Sequence, residues 1–130
     1  MIVLLLSLAC AAVASSRPAH ATEASAADLK KAEALATEGK VYFRSKLFSK
    51  SADKFMQAFG VSKRPALVYN AARAYEEAGK FEEAMAMFEH YQTIASGDAK
   101  GKAAAAERVA SIRARVAKQA AIDAQKKAKA

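Results

Sequence analysis

Few side chains in this chain of 130 residues are of types that perform chemistry, and their spacing argues against most of it. His90 stands between Glu89 and Tyr91 with no second ligand four residues on, so it reads as a helix-surface residue and not as a metal ligand. His20 lies within the first 21 residues, beyond their apolar run. Serines 45, 49, 51 and 62 sit in no nucleophile-elbow context, and no glycine-rich phosphate loop follows a strand. Glu76-Glu77 and Glu82-Glu83 are acidic pairs of the kind used for general acid-base work. Their place on either side of Gly79 makes them solvated helix ends instead. Cys10 is the single cysteine, which rules out a disulfide framework within the chain. The expectation is a protein that is not an enzyme and has no catalytic, cofactor-binding or metal-binding residues.

The elements that carry these residues are helical throughout. Ser25 or Asp28 can cap a first helix in which Leu29, Ala32, Leu35, Ala36, Gly39, Tyr42 and Phe43 recur at three and four. Arg44-Ser45-Lys46 breaks that pattern. A return helix follows, with Ala52, Phe55, Met56 and Phe59 on one side and Gly60 as the expected left-handed stop. Pro65 suits the first position of a third helix whose buried stripe is Leu67, Val68, Ala71, Ala72 and Tyr75. Gly79 turns the chain into a fourth helix, buried along Phe81, Ala84, Met85 and Phe88. After Ser96-Gly97-Asp98 a last helix runs from Ala103 to about Lys127, with Val109, Ile112, Val116 and Ala120 inward and its final ten residues fraying into solvent.

The middle of the chain is a duplication. Gly39, Tyr42, Lys46, Phe48, Ser51 and Phe55 recur 33 positions later as Ala72, Tyr75, Gly79, Phe81, Ala84 and Phe88. Small residues are needed at Gly39 and Ser51 because antiparallel helices whose axes lie about 8–10 Å apart need a notch where one takes the bulk of the other. Tyr42 and Phe55 fill the space so opened. On these residues the chain resembles the tetratricopeptide repeat (TPR), whose signature is small-x-x-Tyr followed by Ala-x-x-x-Phe in a helix-turn-helix of about 34 residues. The expected fold is all-α: two antiparallel helix-turn-helix hairpins, about 32–64 and 65–97, within a domain over 22–97. A basic Ala/Lys-rich capping helix and tail over 98–130 completes it, since neither the glycine-aromatic pair nor the second aromatic returns there. Tyr91 departs from the family, which usually has a small residue at that place.

The resemblance implies where a partner would bind, because in this family the first helix of each pair lines a concave groove. The positions concerned are Glu33, Ala36, Lys40, Phe43 and Arg44 in the first unit, and Tyr69, Asn70, Arg73 and Glu76 in the second. Lys40, Asn70 and Arg73 would donate to a backbone or carboxylate, and Phe43 and Tyr69 would make apolar contacts. The expected groove residues are therefore Lys40, Phe43, Arg44, Tyr69, Asn70 and Arg73. The family's carboxylate-clamp members spread a Lys/Asn/Arg set over three repeats. Here the third is absent and only Asn70 falls on a clamp position, which argues against that activity.

Charge and the N-terminus set the remaining expectations. The net charge of +8 is concentrated in the tail: from Lys100 onward nine Lys or Arg face only Glu107 and Asp123, a net of +7. Such a tail can attract an anionic membrane surface or nucleic acid, although a solvated helix face needs no partner. Ile2 to Ala14 is a run of thirteen residues interrupted by Ser7 alone. As a helix it would span about 20 Å, short of the roughly 30 Å core of a bilayer, so residues 1–21 read as a signal peptide cleaved after Ala19-His20-Ala21. No Lys or Arg precedes the run, which points to a misassigned start or an atypical leader. Lipidation at Cys10 after Ser7-Leu8-Ala9 is the alternative. The expectation is thus an exported periplasmic adaptor, a scaffold that binds a protein or peptide partner in the cell envelope. The alternatives are an electrostatic binder of membrane or nucleic acid, or a homodimer.

Overall fold

Helix α1 (Ala26–Arg44) begins where the sequence offers a reciprocal cap. The Ser25 hydroxyl accepts from the Asp28 N–H at 3.1 Å while the Asp28 carboxylate accepts from the Ser25 N–H at 3.2 Å. The computed structural model describes residues 24–130; the expected leader over 1–21, with Cys10 and His20, lies outside them. Four more helices follow: α2 (Phe48–Ser62), α3 (Pro65–Glu77), α4 (Phe81–Ile94) and α5 (Ala99–Lys129). Each packs on the next in sequence, so α1–α2 and α3–α4 are two hairpins stacked side by side, with α5 against α4. No strand occurs among the described residues, and the fold is all-α.

The two hairpins turn in the same way. At the end of α1 the Lys46 N–H donates to the Phe43 carbonyl and the Leu47 N–H to the Tyr42 carbonyl. At the end of α3, Gly79 donates to Glu76 and Lys80 to Tyr75, at matching distances of 3.0 and 2.9 Å. This is the pair of bonds that closes a helix through a left-handed residue, Lys46 at φ 61° in the first hairpin and Gly79 at φ 74° in the second. A lysine also stands over the equivalent tyrosine of each hairpin, from non-equivalent positions: Lys50 over Tyr42 at 6.0 Å and Lys80 over Tyr75 at 5.9 Å.

Close approach of α1 and α2 explains the glycine at 39. A Cβ placed there would stand 3.0 Å from the Phe55 ring, and the Ser51 hydroxyl donates to the buried Gly39 carbonyl at 2.8 Å. In the second hairpin the corresponding Ala72, Ala84 and Phe88 are all fully buried. One group of core residues gathers Ala32, Phe55, Leu67 and Ala71, and another gathers Val68, Phe88, Tyr91 and Ile112. Met56, Phe59 and Tyr75 pack against both and make one continuous interior. Burying a ring such as Phe88 contributes about 2–3 kcal/mol, so a few aromatics carry a core otherwise built of alanine.

Three local expectations change. Helix α2 does not stop at Gly60 but runs to Ser62, and the left-handed residue is Lys63 at φ 55°. Pro65 sets that limit: it opens α3 and holds Arg64 extended, leaving Lys63 to make the turn. Val116 is 40% exposed and Ala120 is exposed too, because α5, with 31 residues, outruns the 14-residue α4 near Phe81. Nor does the end of α5 fray; it stays helical to Lys129, as its Ala, Lys and Gln content and its basic last turn favour.

Candidate partner-binding groove

The facing sides of α1 and α3 are lined by long cationic side chains over an aromatic floor. Lys40, Phe43 and Arg44 project from the last two turns of α1, and Asn70 and Arg73 from the middle of α3. Together with Phe55 of α2 they line an open cavity of about 290 Å³. The Arg73 guanidinium carbon lies 5.6 Å from the centre of the Phe43 ring, which itself meets Phe48 edge-on at 5.2 Å. Such a stack holds the guanidinium plane in place while leaving its N–H groups free to donate. Among the described residues neither Lys40, Arg44 nor Arg73 forms an ion pair.

A second cavity of about 430 Å³ adjoins the first through Lys40 and Asn70, which line both. It runs toward the start of α1 between Ala32, Glu33, Ala36 and Thr37 on one side and Arg64, Ala66 and Leu67 on the other. Five of the six residues expected in the groove thus share one cavity, and Glu33 and Ala36 lie in its extension.

Tyr69 does not join them. Its ring is half-buried, edge-on to Phe88 at 5.3 Å and to Tyr91 at 5.2 Å, and it lines a separate cavity with Ala104, Glu107, Arg108 and Ser111 of α5. The corresponding residue of the first hairpin is Ala36, which is small and leaves the space between α1 and α3 open. Tyr69 fills the space between α3 and α5 instead.

Glu76 is likewise engaged elsewhere. It corresponds to Phe43, and its carboxylate, only 12% exposed, receives Arg108 at 2.9 Å and Arg115 at 3.1 Å. Arg115 in turn lies 4.8 Å from the centre of the Phe81 ring. Helix α5 therefore stands beside α3 as α3 stands beside α1, but an ion-paired cluster closes that junction. The open groove is confined to α1 and α3. Arg108 and Arg115 carry no spacing signal, being 32 and 39 residues from their partner, and the sequence did not single them out.

At the far end of the stack, Tyr91 donates its hydroxyl to Asp98, whose other carboxylate oxygen accepts from the Gly101 N–H at 2.8 Å and caps α5. The Asp98 bond, then burial, push the Tyr91 phenol up to about 12. The same hydroxyl, then the Gly101 N–H, hold the Asp98 carboxyl below its ordinary value. His90 packs edge-on against Phe59 at 5.8 Å, and no cluster of three or more His, Cys, Asp or Glu able to hold a metal occurs among the described residues. No described helix is long and apolar enough to cross a membrane. No family model matches the chain, and comparison with curated proteins and with solved structures found no match either.

Proposed function

We propose that this protein is a non-catalytic adaptor of the bacterial cell envelope, a tetratricopeptide-type scaffold that is exported to the periplasm and holds a peptide or helix of a partner between α1 and α3. The observation that carries the reading is the shared cavity of Lys40, Phe43, Arg44, Asn70 and Arg73, in which cations without an ion-pair partner among the described residues stand around the half-buried Phe43 ring. A rigid concave site of that kind suits recognition, since donors and apolar wall are both in place before a partner arrives.

The test is partner capture from envelope fractions by wild type and by Phe43→Ala/Arg73→Ala, with the circular dichroism melt as a check on folding. The double variant is expected to lose the partner while keeping its helical signal; retention of the partner would remove the groove. Mass spectrometry of the mature N-terminus tests export, with a chain beginning at Thr22 expected and a lipidated Cys10 as the contrary result.

One observation favours a second reading. The end of α5 projects past the hairpins with Lys118, Lys126, Lys127 and Lys129 exposed and, among the described residues, in no ion pair. In that reading the tail binds an anionic membrane surface or nucleic acid. Binding then weakens steeply with salt and is lost on deleting residues 100–130.

A further inference from the structure

Helix α5 outruns α4, and the step this leaves has an apolar floor, an acidic edge and a basic end. Val116, Ala120 and Ile122 of the overhang and Phe81 at the start of α4 make the floor of an open cavity of about 610 Å³, with Lys118 and Asp123 at its rim. Nothing among the described residues covers Val116, which is 40% exposed, or Ala120. The edge is set by α4. Glu82 lies seven residues before Glu89, and at about 100° per residue the two share one side of that helix. Glu89 is taken by Arg113 of α5 at 2.8 Å, but the positions that follow Arg113 on the same side of the overhang, 117, 120 and 124, are all alanine. Glu82 is therefore exposed and, among the described residues, in no ion pair. The overhang ends in the opposite charge, with Lys126, Lys127 and Lys129 exposed and equally without an ion-pair partner there. They do not reach Glu82 of their own chain: Lys126 stands about 16 Å along the helix from Arg115, which lies over Phe81.

We propose that a second copy of this chain fills the step: two molecules related by a two-fold axis lay their α5 overhangs antiparallel, each covering Phe81, Val116 and Ile122 of the other and bringing Lys126 and Lys127 to the other's Glu82. With the axis at the level of Ala121, Ile122 falls opposite Ala120 and Lys126 opposite Val116, near the level of Phe81. A two-fold uses the same patch on both molecules, so one acidic edge and one basic end on a single chain supply both contacts. Opposite charges thus meet locally in molecules that each carry a net +8 and would otherwise repel. A second copy fits the overhang better than an anionic lipid surface does. Lys118 and Lys127, nine residues apart, take opposite sides of the helix, and Val116 and Ile122 are its only bulky apolar residues beyond Arg115. Two overhangs make a small interface, so the association is weak and depends on concentration. No residue of the step lines the α1–α3 groove, and the pairing does not rest on the adaptor reading.

Sedimentation velocity of the purified chain over a wide range of concentrations tests this. A monomer–dimer equilibrium is expected, and Ile122→Asp should weaken it about tenfold or more. Truncation after Val116, which keeps the residues of α5 that cover the core, should give a monomer. Glu82→Lys and Lys126→Glu/Lys127→Glu should each weaken the dimer, and the three substitutions combined should restore it, because the exchanged charges attract again. A monomer at every concentration would overturn the proposal. So would a dimer that Ile122→Asp leaves intact, or one that the combined charge exchange fails to recover. A chain that is monomeric alone and gathers only on anionic vesicles or on an oligonucleotide would overturn it in favour of the electrostatic reading. Matching circular dichroism melts in dilute solution exclude misfolding, and Ile122→Gln replaces the aspartate if that variant fails to fold.

Discussion

Lys46 and Gly79 make the same turn with different residues, and the difference has an energetic consequence. A side chain at φ 61° crowds the following carbonyl, at roughly 1 kcal/mol, whereas glycine at φ 74° meets no such contact. Lys46→Gly is expected to raise the unfolding free energy by about 0.5–1 kcal/mol in urea denaturation, and Gly79→Ala to lower it by about 1 kcal/mol or more. Tyr91 gives a prediction in pH. Its phenol is pushed from an ordinary 10.0 to about 12, so the folded state favours the protonated form. That contribution is complete below pH 10 and is lost as pH rises through about 12. Phenolate absorbance should show one tyrosine ionising well after the others, and Tyr91→Phe should remove that last step. For Asp98 the sign is reversed, the stabilisation being present above its ordinary value and lost in acid.

Between helices the decisive contact is Gly39 against Phe55, where the added carbons of a β-branched residue have nowhere to go. Gly39→Val is expected to cost about 2 kcal/mol in thermal or urea unfolding, from overpacking and from the stiff side chain within a helix. That notch was legible in the sequence because small and aromatic positions recur at helical spacing in both units. The family resemblance built on that recurrence implied that Lys40, Phe43, Arg44, Asn70 and Arg73 line one groove, and they share one cavity. The resemblance misplaced Tyr69, since a family pattern says which side of the helix a residue takes but not which neighbour its ring will fill. At the corresponding place the first unit has Ala36, and only the docking of α5 decides that the larger ring is enclosed. The left-handed lysines were hidden for a related reason: glycine advertises such a turn, and Lys46 and Lys63 adopt it only because the neighbouring helices require it. Ion pairs from α5 to Glu76 leave no trace in periodicity at all.

At the scale of the whole molecule, the five helices of the described residues form a stack in which α5 has two parts. Its first half covers Phe88, Tyr91 and Ala95 through Ala105, Val109 and Ile112 and is anchored by Glu76. Its second half is exposed but for a half-buried Ile122. Truncation after Val116 is therefore expected to change the unfolding free energy by less than about 1 kcal/mol, whereas truncation after Asp98 uncovers the aromatic core and abolishes cooperative unfolding. The adaptor reading rests on the other side of the stack, where the α1–α3 junction is left open while α5 closes the next one. Photo-crosslinking in the native envelope tests it most directly, with a photoreactive residue placed at Lys40 in the groove, at Glu82 at the start of α4, or at Lys126 near the end of α5. The account predicts partner adducts from position 40, lost when Phe43→Ala is added, and none that depend on Phe43 from positions 82 or 126. Adducts from position 126 alone, or adducts from position 40 unaffected by Phe43→Ala, would contradict it.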